Sequence, residues 1–182
     1  MPDALQTYTF ESSGLWNPRH TVTGPDGVLG VLDVKRNAWG VISSAEFKPE
    51  KGEVLIMRRD PGLLRAQFSM WTADREWLAS SLRWSFFKRP ITIHTGTKPQ
   101  TLIPLPSFGP GWMMMAPKTG EVGKLATGLF GSKSTLEVYR RIDFELVLFA
   151  YFLGSLVKRE FLLPGPIEHS DAARAAAAPS KA

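Results

Sequence analysis

Residues 142 to 157, from Ile142 to Val157, constrain this chain more than any other stretch. They read as one helix that is apolar nearly all the way round, since residues 146 to 153 carry no charged or strongly polar side chain. Such a helix must be hidden from water on every side. At 1.5 Å per residue its length is about 24 Å, short of the roughly 30 Å hydrocarbon core of a bilayer. Asp143 and Glu145 at its start, and Lys158, Arg159 and Glu160 after it, bound the run tightly. The helix is therefore expected inside a protein core, with a monotopic membrane helix beside a small β-domain as the rival reading. What surrounds it has to come from the residues before it.

Those residues read as short strands separated by turns. Gly24-Pro25-Asp26-Gly27 is a turn signal flanked by Thr21–Thr23 and Val28–Leu32. Asn37 to Gly40 and Pro49 to Gly52 break the chain again, before a strand over Glu53–Arg58. Asp60-Pro61-Gly62 is a further turn. Leu64, Ala66, Phe68 and Met70 then alternate with polar residues, as do Leu82, Trp84 and Phe86, and Ile91 and Ile93. That period of two marks half-buried strands. Val122–Thr127 and Thr135–Tyr139 give the last two strands, joined by a hairpin loop over residues 128–134. The proline-rich passage Pro99–Pro117 reads as irregular loop with short extended pieces. Thr72–Leu78 reads equally as a helical turn.

Many short strands at intervals of roughly ten residues predict an all-β sandwich or barrel. A closed antiparallel β-barrel around residues 143–157 as a central helix satisfies both demands at once. The helix hides its whole surface, the strands bury their inner faces, and closure removes exposed edges. The barrel is expected over residues 1–165, with a disordered Ala-rich tail over 166–182. The chain has 182 residues and is 43% hydrophobic, enough for one sizeable core.

With the strand cadence and the ending Leu136 to Gly154 in view, the chain resembles the tubby C-terminal-like superfamily. That group includes tubby-like proteins, phospholipid scramblases and the plant LURP-one-related proteins. The resemblance covers roughly residues 5 to 163. It implies a closed barrel of about a dozen strands around a hydrophobic C-terminal helix. It also implies phosphoinositide or membrane binding, or lipid movement. The acidic calcium cluster of scramblases is not matched, because only Asp143 and Glu145 stand at the helix start. Scramblase-type palmitoylated cysteines are missing too, since the chain has no Cys.

The absence of Cys rules out disulfides and thiolate metal sites, and fits a reducing compartment. The N-terminus has neither a basic flank nor an apolar run, so a cytoplasmic location is expected, peripheral to a membrane if lipid is the ligand. A pI of 9.6 and a net charge of +5 favour anionic partners. Five basic doublets carry that charge: Lys35-Arg36, Arg58-Arg59, Lys88-Arg89, Arg140-Arg141 and Lys158-Arg159. Doublets at strand ends gather on the rims of a barrel, where Arg binds phosphate bidentately and Lys adds a point charge. The candidate headgroup contacts are Arg58, Arg59, Lys88, Arg89, Arg140 and Arg141. Ordinary solvated charge explains such doublets equally well.

The other motifs have plain structural readings. Trp71, Trp77, Trp84, Phe86 and Phe87, interleaved with Arg75, Arg83, Lys88 and Arg89, match a base-stacking surface, but alternation places Trp84 and Phe86 in the core. Trp112-Met113-Met114-Met115 matches either an adaptable contact surface or core filling. Gly120 to Lys124 fails as a phosphate loop, because Lys118 stands where the first glycine belongs and Leu125 replaces the hydroxyl residue. His20, His94 and His169 have no metal-ligand spacing, and His94 is expected to face solvent. Asp143 is expected to cap the helix rather than bind calcium. No nucleophile–base or paired-carboxylate pattern stands out. The sequence therefore points away from an enzyme, without cofactor or metal, toward a non-catalytic module for anionic phosphate-bearing headgroups. A scaffold protein without lipid ligand and a single-stranded nucleic-acid binder are the alternatives.

Overall fold

The computed structural model describes residues 4–14, 18–38, 40–60, 67–82, 90–96, 99–105, 111–128 and 132–157. Twelve strands run up and down in chain order and close on themselves, each antiparallel to its neighbours. They are β1 (Gln6–Ser13), β2 (Arg19–Gly24), β3 (Gly27–Arg36), β4 (Ile42–Pro49), β5 (Leu55–Arg59) and β6 (Phe68–Thr72). The circuit continues through β7 (Trp77–Leu82), β8 (Ile91–His94), β9 (Gln100–Pro104), β10 (Gly111–Ala116), β11 (Gly120–Thr127) and β12 (Lys133–Val138). Pairing of β1 with β12, from Gln6 opposite Val138 to Glu11 opposite Lys133, seals the barrel. Burial alternates along the strands, as in β12, where Ser134, Leu136 and Val138 point inward. The expected tail over 166–182 lies outside the described residues.

Helix α1 (Phe144–Tyr151) follows β12 and continues as a wider π-helical turn over Phe152–Leu156. Leu148, Phe149 and Phe152 are completely buried. Their surroundings come from all round the barrel. Tyr151 stacks on Phe10 of β1 with ring centroids 3.7 Å apart, and its hydroxyl meets His20 Nδ1 of β2 at 2.9 Å. Phe144 packs on Phe47 of β4, and Phe152 sits edge-on to Phe68 of β6. From β10, Trp112 Nε1 donates to the Gly154 carbonyl at 2.8 Å. Ser155 reaches Thr127 of β11 at 3.4 Å. A helix touched by six strands spread around a closed sheet is its filling, so the expected architecture is the observed one.

One local expectation is corrected, one open reading is settled, and one strand is not read from the sequence. β1 has an alternating core pair, Tyr8 and Phe10, and is a full strand that the turn signals alone do not reveal. The passage Pro99–Pro117 contains two regular strands, β9 and β10, in register from Trp112 opposite Pro104 to Met115 opposite Thr101. Its prolines bound the strands rather than interrupt them, which is where proline is tolerated. Within Thr72–Leu78 the chain makes the β6–β7 hairpin turn over residues 73–76, with Thr72 ending β6 and Trp77 opening β7. Arg75 N–H donates to the Thr72 carbonyl, the Glu76 N–H donates to Thr72 Oγ1, and Arg75 takes a positive φ of 69°.

Candidate functional site

Strand direction gives the barrel two unlike ends. At the mouth where the helix starts lie the β2–β3 turn, the β4–β5 loop, the β6–β7 turn and Phe144. At the opposite rim, near the helix end, lie the ends of β3 and β5 and the start of β4. Leu55 stands at the mouth, and Arg59, four residues along the same strand, is about 13 Å away.

The helix-end rim gathers two of the basic doublets. Lys35-Arg36 closes β3, Arg58-Arg59 closes β5, and β4 runs between them. Lys35 and Arg58 both pair with Ser44, from its two sides. Alternation turns Lys35 and Arg58 outward, where both are exposed. Arg36 and Arg59 turn the other way and are half-buried against the rim. Arg36 Nη1 donates to the Gly40 carbonyl at 2.7 Å, and Arg59 Nε donates to the Ile42 carbonyl at 3.2 Å. The Arg59 guanidinium lies 5.0 Å above the Phe68 ring, and that of Arg58 lies 5.2 Å above Trp71. Carbonyls and rings thus hold three guanidinium groups in place, which reduces the ordering cost of binding an anion. Glu46 reaches Lys35 at 3.8 Å. A second carboxylate, that of half-buried Asp60, follows Arg59. Trp71 Nε1 donates to Ser69 Oγ at 2.7 Å, and Ser69 donates to Asp60 Oδ1 at 2.6 Å. Burial pushes the Asp60 carboxyl above its ordinary range, against the lowering effects of Ser69 and Arg58.

The remaining expected contacts do not join this cluster. Arg140 and Arg141 are exposed at the mouth, between Val138, which pairs with Gln6, and Phe144. They are the length of the barrel away from Arg59. Lys88 and Arg89 lie outside the described residues, as do Arg83, Trp84, Phe86, Phe87 and Lys158-Arg159. Asp143 occupies the N-cap position with extended backbone, but its side chain makes no capping hydrogen bond. Its backbone carbonyl instead accepts from Leu146 and Val147. His94 is exposed as expected. Trp112 and Met114 fill the core, while Met113 and Met115 stay half-buried on the outside. His20 is a buried partner of Tyr151, a placement its isolated position in the sequence does not announce.

The mouth is chemically different. It holds a cavity of about 600 Å³ whose wall includes Tyr8, Leu29, Phe47, Leu55, Leu78 and Phe144. Asp26, Glu53, Glu76 and Glu145 also line it, with Lys51 the one cation among the described lining residues. No group of three or more metal-ligating side chains exists among the described residues. Among them, no helix is long and apolar enough to cross a membrane.

No family model matches the chain, and no curated protein matches it either. Its backbone is similar to the X-ray structure of a protein from Arabidopsis thaliana, with a TM-score of 0.53 at 13% identity. The similarity covers 86% of this chain and 92% of that one. At this identity the likeness is one of fold, and the fold shared is the closed twelve-stranded barrel with its short C-terminal helix.

Proposed function

We propose that this barrel is a non-catalytic binding module that docks its helix-end rim on anionic, phosphate-bearing lipid headgroups. The observation that carries the reading is the convergence of Lys35, Arg36, Arg58 and Arg59 on strands flanking β4. The net charge of +5 and the resemblance to the tubby C-terminal-like superfamily support it. The contacts are narrower than the doublets alone imply, with Arg58 and Arg59 kept and Arg140 and Arg141 set aside. Each basic side chain near an anionic surface contributes on the order of 1 kcal/mol, so four give about 4 kcal/mol. That is millimolar affinity by charge alone, the strength of a reversible peripheral contact in the cytoplasm.

Vesicle flotation tests the reading. The protein is expected to float with phosphatidylserine-containing vesicles at low salt and not with phosphatidylcholine vesicles. Binding should fade between 50 and 300 mM salt, where the screening length shrinks from about 14 Å to about 6 Å. Absence of flotation on acidic vesicles at low salt would refute the proposal and leave a scaffold role. Preferential capture of single-stranded oligonucleotides would favour nucleic-acid binding instead.

A further inference from the structure

The mouth cavity is unlike the rim in both charge and lining. Its wall carries an aromatic trio. Phe144, the first residue of α1, lies with its ring centroid 5.8 Å from that of Tyr8 and 5.4 Å from that of Phe47. Tyr8 and Phe47 are almost fully buried beneath it, so the half-buried Phe144 is the ring of the three most open to the space. Leu29, Leu55 and Leu78 complete the apolar lining. Four carboxylates line it, Asp26, Glu53, Glu76 and Glu145, against the ammonium of Lys51, while Arg140 and Arg141 stand at the same mouth outside the described lining. None of the four forms an ion pair among the described residues. They come from three separate connections and the helix, so the chain order does not show that they converge. In a chain of net charge +5 this is a local reversal of sign. Burial first, and the Asp26 charge second, push the Tyr8 phenol above its ordinary pKa. The Tyr8 hydroxyl itself donates to Gln6 Oε1 at 3.0 Å.

We infer that this cavity binds a small organic ammonium ion with apolar substituents, its cationic centre against the Phe144 ring and facing the surrounding carboxylates. A cation over aromatic faces is attracted by their quadrupoles, and quaternary ammonium groups are recognised in this way because they offer no hydrogen bond to lose. The carboxylates select the sign of the charge, and the leucines take the hydrocarbon. The volume lies inside the ordinary range of small-molecule sites, roughly 300–1,000 Å³. An anion would be repelled here, so the cavity is a second site with a selectivity opposite to that of the rim.

The test uses phenyltrimethylammonium as probe, titrated into the full chain by calorimetry at low salt. Saturable one-site binding is expected, with no binding of benzoate or of benzyl alcohol at equal concentration. Glu53→Gln with Glu76→Gln, both exposed and outside the packed core, should weaken binding by about tenfold, the scale of a lost charge contact of 1.4 kcal/mol. Phe144→Leu, which keeps the apolar volume and removes the ring, should weaken it comparably. Arg58→Glu at the other end should leave it unchanged, which separates this site from the proposed lipid contact. Failure to saturate would overturn the inference, and so would equal affinity in the Glu53→Gln, Glu76→Gln variant or equal binding of benzoate.

Discussion

At the scale of single residues, three positions have consequences their letters alone do not show. Asp143 is where a cap belongs, yet its side chain bonds no helix N–H. What remains is its charge beside the positive helix end, worth about 0.3–1 kcal/mol. Asp143→Ala is therefore expected to cost about 0.3–1 kcal/mol, no more than a working cap, as read from urea midpoints. Gly154 is a packing residue. An added Cβ would meet Leu125 Cδ2 at 2.8 Å and Trp112 Cδ1 at 2.9 Å. Leu125 can turn away, but Trp112 is held by its hydrogen bond to the Gly154 carbonyl. Alanine gains about 1 kcal/mol of helix propensity, and overpacking costs 1–3 kcal/mol. Gly154→Ala is expected to lower stability by up to about 2 kcal/mol in chemical denaturation. Asp60 gives a pH signature. Its folded pKa is raised, so the folded state holds the proton more tightly than the unfolded chain. The stability this contributes is present below the ordinary carboxylate pKa and is lost as pH rises through the raised value. Asp60→Asn keeps an acceptor for Ser69 and should remove that loss. Denaturation midpoints measured from about pH 3 to pH 7 should fall less steeply with rising pH in the variant than in the parent.

Among the elements, the helix was the most legible because its character is written in consecutive residues. Nothing but complete enclosure suits Leu146 to Leu153, and the barrel supplies it. Leu148→Ala should cost about 2–5 kcal/mol by urea denaturation, as expected for an enclosed leucine. The strands β2 to β5, β8, β11 and β12 were legible because turn residues or clean alternation frame them. β9 and β10 were hidden by prolines that stand at strand boundaries, with Pro104 last in β9. β1 was hidden because Gln6, Tyr8, Thr9 and Phe10 carry no turn signal before them. The change from α1 to a π-helical turn at Phe152 has no signature in the sequence. It accompanies the Trp112 hydrogen bond to Gly154 from a strand forty-two residues earlier.

At the scale of the whole molecule, the separation of the basic doublets follows from strand parity. In an up-and-down barrel, successive strand ends alternate between the two ends. β3 and β5 run toward the same rim, and β12 runs toward the mouth. The doublets at Lys35-Arg36 and Arg58-Arg59 are thereby joined, and Arg140-Arg141 is set apart. The sequence carries this information, since an odd number of strands lies between Arg59 and Arg140, but only once the neighbour order is known. The acidic mouth was illegible for a different reason. Asp26, Glu53, Glu76 and Glu145 are scattered along the chain, and closure alone brings them to one cavity. The most direct test of the functional account compares charge reversal at the two ends in one flotation experiment on acidic vesicles at low salt. Lys35→Glu with Arg58→Glu is predicted to abolish flotation, while Arg140→Glu with Arg141→Glu leaves it intact. Flotation that survives the first pair and is lost with the second would contradict the account.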